Sequence, residues 1–366
     1  MHVRRIDMCG RHTHKDELIE KYKREDEKQA PLIISNTSLM ESSTKPQIQY
    51  EFLPLIRVYK NGHVERLLGT DFVPAATSNG SLTGVLSKDI IIKTEPNISA
   101  RLYLPKSINT NQKLPLLVYF HGGGFFISSP FTSKYNNYLN TLVAEASLIA
   151  VSVNYRKAPE HPIPAAYEDS WEALTWVVSH CNGDGPESWL NDHADFGRVF
   201  LSGESAGANI AHNMAIFAGH PEFGLSVPLL GVALVHPYFW GSDPIGTETA
   251  NMESKAATDR LWPLICPLNP DNDDPRVNPL SADAPSLVAL GCKRVLICVA
   301  ENDVLKDRGW AYYQELSRCG WMGVAEIMET DGEGHGFHLS DLQNEKAKDL
   351  IQRLAAFFNR EMPPLL

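Results

Sequence analysis

At 366 residues, 43% apolar and 21% charged, the chain has the make-up of an ordinary soluble globular protein. Its net charge of −11 argues against nucleic acid and anionic membranes as partners, because both draw basic surfaces. No apolar run approaches the ~20 residues that span a bilayer, and the first 30 residues lack the apolar stretch of a secretory signal. A cytoplasmic location, or a nuclear one, is therefore expected. Six scattered cysteines, with no C-x-x-C pair, make neither a disulfide framework nor a zinc set.

Residues 1–47 are polar and heavily charged without a sustained apolar period, which predicts a disordered extension. Met40 opens a run that would itself serve as a protein start, so the first 39 residues are expected to be a dispensable extension or the product of an over-long gene model. RHTH (11–14) offers two imidazoles to a metal, but no third ligand clusters beside it. No metal and no cofactor are expected.

From Ile56 the pattern turns to strands. LIRVYKNGHVERL carries Asn61-Gly62, a two-residue hairpin signal, and KDIIIKTEPNISARLYLP folds back near Pro96-Asn97. Apolar strands then alternate with helices. Strands are predicted at 114–120, 147–156, 198–203, 228–239, 294–303 and from 325. Helices are predicted at 167–181, after 203, at 306–320 and from 345 to near the end. Hairpins followed by repeated β-α units predict an α/β protein with a mostly parallel central sheet and helices on both faces. Residues 48–366 read as a single domain. Residues 240–290 break the rhythm with seven prolines and acidic turns, and are expected to form a cap together with about 48–80.

The sharpest chemical signal is Gly203-Glu204-Ser205-Ala206-Gly207, a G-x-S-x-G between a strand and a helix. Such a turn exposes the serine hydroxyl at a helix N-terminus. A hydroxyl needs a base and the base an orienter. Asp303 ends one late strand and His335 follows another, in the chain order Ser, acid, His. Asp307 and His338 are rivals for those roles. Glu204 is expected to hold neighbouring backbone, and His212 to pack. HGGGFF (121–126) follows the strand at 114–120. Bare glycine backbone there suits N–H donors for an oxyanion, with Ala206 as a further donor. A nucleotide cradle would need G-x-G-x-x-G or G-x-x-x-x-G-K-[ST], and neither occurs.

With HGGGF, NYRKAPEHPIPAAYED, GESAGANIAHN, ENDVLKDRG and DGEGHGFH in this order, the chain resembles the hormone-sensitive-lipase-like branch of the α/β-hydrolases. More closely, it is similar to the plant carboxylesterase family that includes 2-hydroxyisoflavanone dehydratases. The resemblance runs from about Phe52 to Phe358. It implies a catalytic set of Ser205, Asp303 and His335, an oxyanion hole from Gly122, Gly123, Gly124 and Ala206, and a cap over the acyl pocket. Phe125, Phe126 and Trp240 are expected in the pocket walls. The implied reaction is hydrolysis of small or specialised-metabolite esters, with dehydration of a 2-hydroxyisoflavanone as the alternative. Gibberellin receptors are similar but lost the histidine, which is present here as His335. Dehydratases of the legume type often carry Thr at the nucleophile and Ala within HGGG, where this chain has Ser205 and Gly124.

Overall fold

In the computed structural model, residues 46–77, 84–108 and 113–360 are described. Met40, RHTH and almost all of the expected N-terminal extension lie outside them. The described chain opens with a small antiparallel sheet of β1 (Ile48–Phe52), β2 (Ile56–Tyr59) and β3 (Val64–Arg66). Between β2 and β3 the chain reverses at the expected place, but through three loop residues and not two: the Tyr59 N–H donates to the His63 carbonyl and the Gly62 N–H to the Tyr59 carbonyl, each at 2.9 Å, and only Gly62 has a positive φ (84°).

The main sheet comprises β4 (Val85–Lys93), β5 (Ile98–Pro105), β6 (Leu114–Phe120), β7 (Ile149–Asn154), β8 (Ala194–Glu204), β9 (Leu229–Val235), β10 (Arg294–Ala300) and β11 (Val324–Thr330). Their order is β11-β10-β9-β8-β6-β7-β5-β4. β4 and β5 are the second predicted hairpin, and β5 also runs antiparallel to β7. Every pairing from β7 through β11 is parallel.

Eight α-helices are described: α1 (Ser133–Ala146), α2 (Ala165–Val178), α3 (Ser188–His193), α4 (Ala206–Gly219), α5 (Met252–Asp259), α6 (Leu261–Ile265), α7 (Lys306–Leu316) and α8 (Glu345–Asn359). They cover both faces of the sheet, which is why β6, β9 and β10 are buried along their whole length instead of alternating. Leu116, Val118 and Phe120 of β6 join the core under α2, α4 and α7, whereas Leu117 and Tyr119 face α1 and α8.

Residues 240–290 carry α5 and α6 and reach the small sheet, where the Arg260 guanidinium donates to the Glu51 carbonyl at 3.1 Å. Arg66 of β3 donates to the Phe126 carbonyl at 2.7 Å, tying the small sheet to the glycine loop after β6. Among the described residues no helix is long and apolar enough to cross a membrane.

Candidate active site

β8 stops at Glu204 and α4 begins at Ala206, so Ser205 stands alone in the turn with φ 57° and ψ −119°. A residue with a side chain is strained there and persists only if its surroundings hold it. They do: the Ser205 N–H donates to the Val235 carbonyl at 2.9 Å, and its own carbonyl accepts from the Tyr238 N–H at 3.1 Å. The turn also presses α4 onto β6. A Cβ on Gly207 would run into the Phe120 carbonyl oxygen, so the closing glycine of the motif serves packing.

Asp303 follows β10 and His335 follows β11, at the same carboxyl end of the parallel strands as Ser205 after β8. His335 Nε2 lies 2.9 Å from Ser205 Oγ, and its Nδ1 lies 2.7 Å from Asp303 Oδ2. Nδ1 faces a carboxylate and so carries the proton, leaving Nε2 to accept from the serine hydroxyl. Asp303 is only 4% exposed, and its other oxygen accepts from the Leu305 N–H at 3.0 Å. Burial works against its charge, but the charge and hydrogen bond of His335 outweigh it and hold the carboxyl below the usual range. Burial likewise opposes protonation of His335. The charge and hydrogen bond of Asp303, then the charge of Glu204, push it up to about 9. The His335 side chain is 38% exposed, so water tempers that rise without reversing it.

These groups sit on a cavity of about 610 Å³, within the usual range for small-molecule sites. Phe52, Leu55 and Leu68 line it from the N-terminal segment, Leu261 from α6, Ile127 from the loop after β6 and Tyr238 from the segment after β9. Gly123 and Gly124, at φ 110° and 60°, face the same space. Among the described residues no acceptor engages their N–H groups. Ala206, as the first residue of α4, has an N–H with no partner inside its helix.

Residues 117–339 match the family described as the alpha/beta hydrolase fold. The chain belongs to that family. It is 46% identical over 318 residues to "Probable carboxylesterase 2" of Arabidopsis thaliana, covering 87% of this chain and 98% of that protein. It is 44% identical over 325 residues to a 2-hydroxyisoflavanone dehydratase of Glycyrrhiza echinata, with 87% and 99% covered. Among solved structures it is similar to a hyperthermophilic esterase from the archaeon Pyrobaculum calidifontis, at 27% identity and a TM-score of 0.62 over 74% of this chain and 84% of that one.

For this hydrolase several expectations need correcting. The Gly122 N–H donates to the Tyr135 hydroxyl at 2.8 Å, so it is not free for an oxyanion. Phe125 and Phe126 are buried and point away from the cavity: Phe125 packs edge-on against Tyr155 and Tyr167, and Phe126 lies against Phe52. Trp240 is equally buried, its indole N–H donating to Asp259 at 2.7 Å. None of the three lines the cavity: Phe125 and Phe126 sit on the loop after β6, which turns at Phe125 (φ 61°), whereas Trp240 follows β9 and packs against Asp259 and Lys255 of α5. The rivals fall out as well. Asp307 is taken up by the N–H and hydroxyl of Thr247, each at 2.6 Å. His338 is buried beside Tyr138, away from Ser205, and burial depresses its pKa to about 3. His212 packs against Tyr312, with 3.1 Å from Nδ1 to the hydroxyl.

One residue that the sequence reading passed over is His236, just after β9. Its Nδ1 accepts the buried Gly336 N–H at 3.1 Å and so fixes the loop that carries His335. His236 itself has φ 46°, a region that Asn enters at little cost. Asn Oδ1 can also stand where Nδ1 does, so His236→Asn should keep kcat within about threefold of the parent. His236→Leu should lose on the order of 10- to 100-fold in kcat and about 1–3 kcal/mol in urea unfolding, because a buried N–H is left unpaired.

Proposed function

We propose that the protein is a serine carboxylesterase that hydrolyses small or specialised-metabolite carboxylic esters through an acyl-enzyme on Ser205. The observation that carries this reading is the continuous line Ser205–His335–Asp303, with distances of 2.9 and 2.7 Å, beside a largely apolar cavity. Ser205 Oγ attacks the ester carbonyl carbon while His335 Nε2 takes its proton. The charge that gathers on the carbonyl oxygen is met by the N–H groups of Gly123, Gly124 and Ala206. The C–O bond to the alcohol then breaks, and His335 returns the proton to the departing oxygen. Water, deprotonated by the same imidazole, attacks the acyl-enzyme, and the acid leaves with Ser205 restored. Asp303 fixes the tautomer and stabilises the imidazolium throughout. In this reading, residues 48–366 act as one domain, and the segments about 48–80 and 240–290 are the cap that excludes water and shapes the acyl site. Five described cysteines are free thiols, which suits a cytoplasmic setting.

A second reading, elimination of water from a 2-hydroxyisoflavanone, has the similarity to the Glycyrrhiza dehydratase behind it. A base and a set of oxyanion donors would serve that reaction too. One panel separates the two: p-nitrophenyl esters of rising acyl length, with a 2-hydroxyisoflavanone alongside. The expected outcome is ester turnover together with fluorophosphonate labelling at Ser205. Elimination without ester turnover would move the assignment to the second reading.

A further inference from the structure

We propose that Glu204 and Tyr135 form a positioning pair that couples the glycine loop to the base His335. The proposal rests on the esterase reading of the same site and adds two residues to it.

Glu204 precedes the nucleophile, yet it is only 4% exposed and its carboxyl group points under the site. The Tyr135 hydroxyl, from the first turns of α1, donates to Glu204 Oε2 at 2.6 Å and accepts the Gly122 N–H at 2.8 Å. Three separate segments are thereby joined in one line: the loop after β6, helix α1 and the end of β8. The first glycine of HGGG now has a physical reason. A Cβ at Gly122 would stand 2.5 Å from Glu204 Oε2 and 2.8 Å from the Tyr135 hydroxyl. Glycine lets the carboxyl and the phenol press onto the loop, and its N–H is consumed in holding the donors of Gly123 and Gly124 in place.

The other oxygen, Glu204 Oε1, lies 3.7 Å from His335 Nε2. That separation is too long for a hydrogen bond, so Glu204 acts on the imidazolium through its charge. His335 is flanked on both nitrogens by a carboxyl group, hydrogen-bonded to one and facing the other. The groups with charge or protons that face Glu204 are Tyr135 and Lys134 of α1, His335, and Asp303. Burial, with the Asp303 charge, holds the Glu204 carboxyl above the ordinary carboxylate value, whereas the His335 charge, the Tyr135 hydroxyl and Lys134 favour its anion. A buried carboxyl that merely satisfied Tyr135 would leave the chemistry at His335 untouched.

The test uses Glu204→Gln and Tyr135→Phe in the full chain, beside the wild type and Ser205→Ala. Glu204→Gln keeps an oxygen for Tyr135 but removes the charge. It should lower kcat for p-nitrophenyl acetate about tenfold with KM within about twofold, and move the acid limb of kcat/KM down by roughly one pH unit. NMR titration of labelled histidine should report the same downward move for His335. Tyr135→Phe strands the Gly122 N–H and should lower kcat on the order of 10- to 100-fold, again with little change in KM. Folded variants with wild-type kcat, an unmoved acid limb and an unmoved His335 titration would overturn the pairing. Should the wild type turn over no ester and Ser205 resist fluorophosphonate, the esterase reading fails instead. The His335 titration in Glu204→Gln still decides the inference in that case, since it needs no substrate.

Discussion

Ser205→Ala should lower ester turnover by on the order of 10⁴- to 10⁶-fold and abolish covalent labelling by a fluorophosphonate. The loss is large because no other nucleophile stands in line. His335 Nε2 has Ser205 Oγ as its hydroxyl partner at 2.9 Å, and among the described residues no other hydroxyl is hydrogen-bonded to it. What remains in the variant is binding and the N–H groups of Gly123, Gly124 and Ala206, which stabilise charge without forming a bond. Folding should be unaffected, since the serine side chain makes no contact that supports the turn; the turn is held by its backbone N–H and carbonyl. Burst kinetics and the thermal midpoint, measured together, check both halves. Retained turnover in a folded Ser205→Ala protein would refute the acyl-enzyme.

Asp303→Asn should be the next largest, lowering kcat by about 10³- to 10⁴-fold near pH 7. An amide can donate as well as accept, so the proton is no longer held on His335 Nδ1 and the tautomer facing Ser205 becomes wrong. The pH dependence carries a second signature. His335 is raised to about 9, so the wild-type base is increasingly neutral, and kcat/KM climbs, as pH rises from 7 through 9. Removing the Asp303 charge lowers that pKa, and the acid limb should move toward lower pH while the plateau stays depressed. The same pair leaves a mark on stability. A raised histidine stabilises fully below its unfolded value near ~6.5 and ceases to do so as pH rises through its folded value. The lowered Asp303 stabilises above its unfolded value near ~3.9 and ceases to do so as pH falls through its folded one. Urea unfolding across pH, wild type against Asp303→Asn, should therefore show the difference shrinking toward both extremes.

Much of the scaffold was legible in the chain because its signals are local. A fully buried parallel strand must be apolar throughout, and residues 114–120 and 294–300 announce themselves that way. Asn61-Gly62 marks where the chain reverses, although the turn that forms has three loop residues and a left-handed glycine at its end. Helix α1 was missed although Tyr135, Tyr138, Leu139, Leu142, Val143 and Ala146 line one face at helical spacing. Its first two turns are rich in Asn, Tyr and Ser, residues whose contribution depends on what they pack against. The short helices α5 and α6 were hidden among prolines for a similar reason.

The sequence by itself determined which residues could do the chemistry, and in what order. A serine in a strand-to-helix turn, a carboxylate and an imidazole after late strands, and a run of glycines are all statements about single positions. Tertiary structure decided everything that depends on where a side chain or an N–H points. It turned Gly122 away from the site and onto Tyr135, left Phe125, Phe126 and Trp240 out of the cavity lining, and put Phe52, Leu55 and Leu261, from the two segments expected as a cap, into it. It also brought Glu204 and His236 to the imidazole and its loop from strands far apart in the chain. The reason is physical: a motif fixes backbone shape over a few residues, whereas direction and neighbours are set by the packing of segments that only the folded sheet brings together.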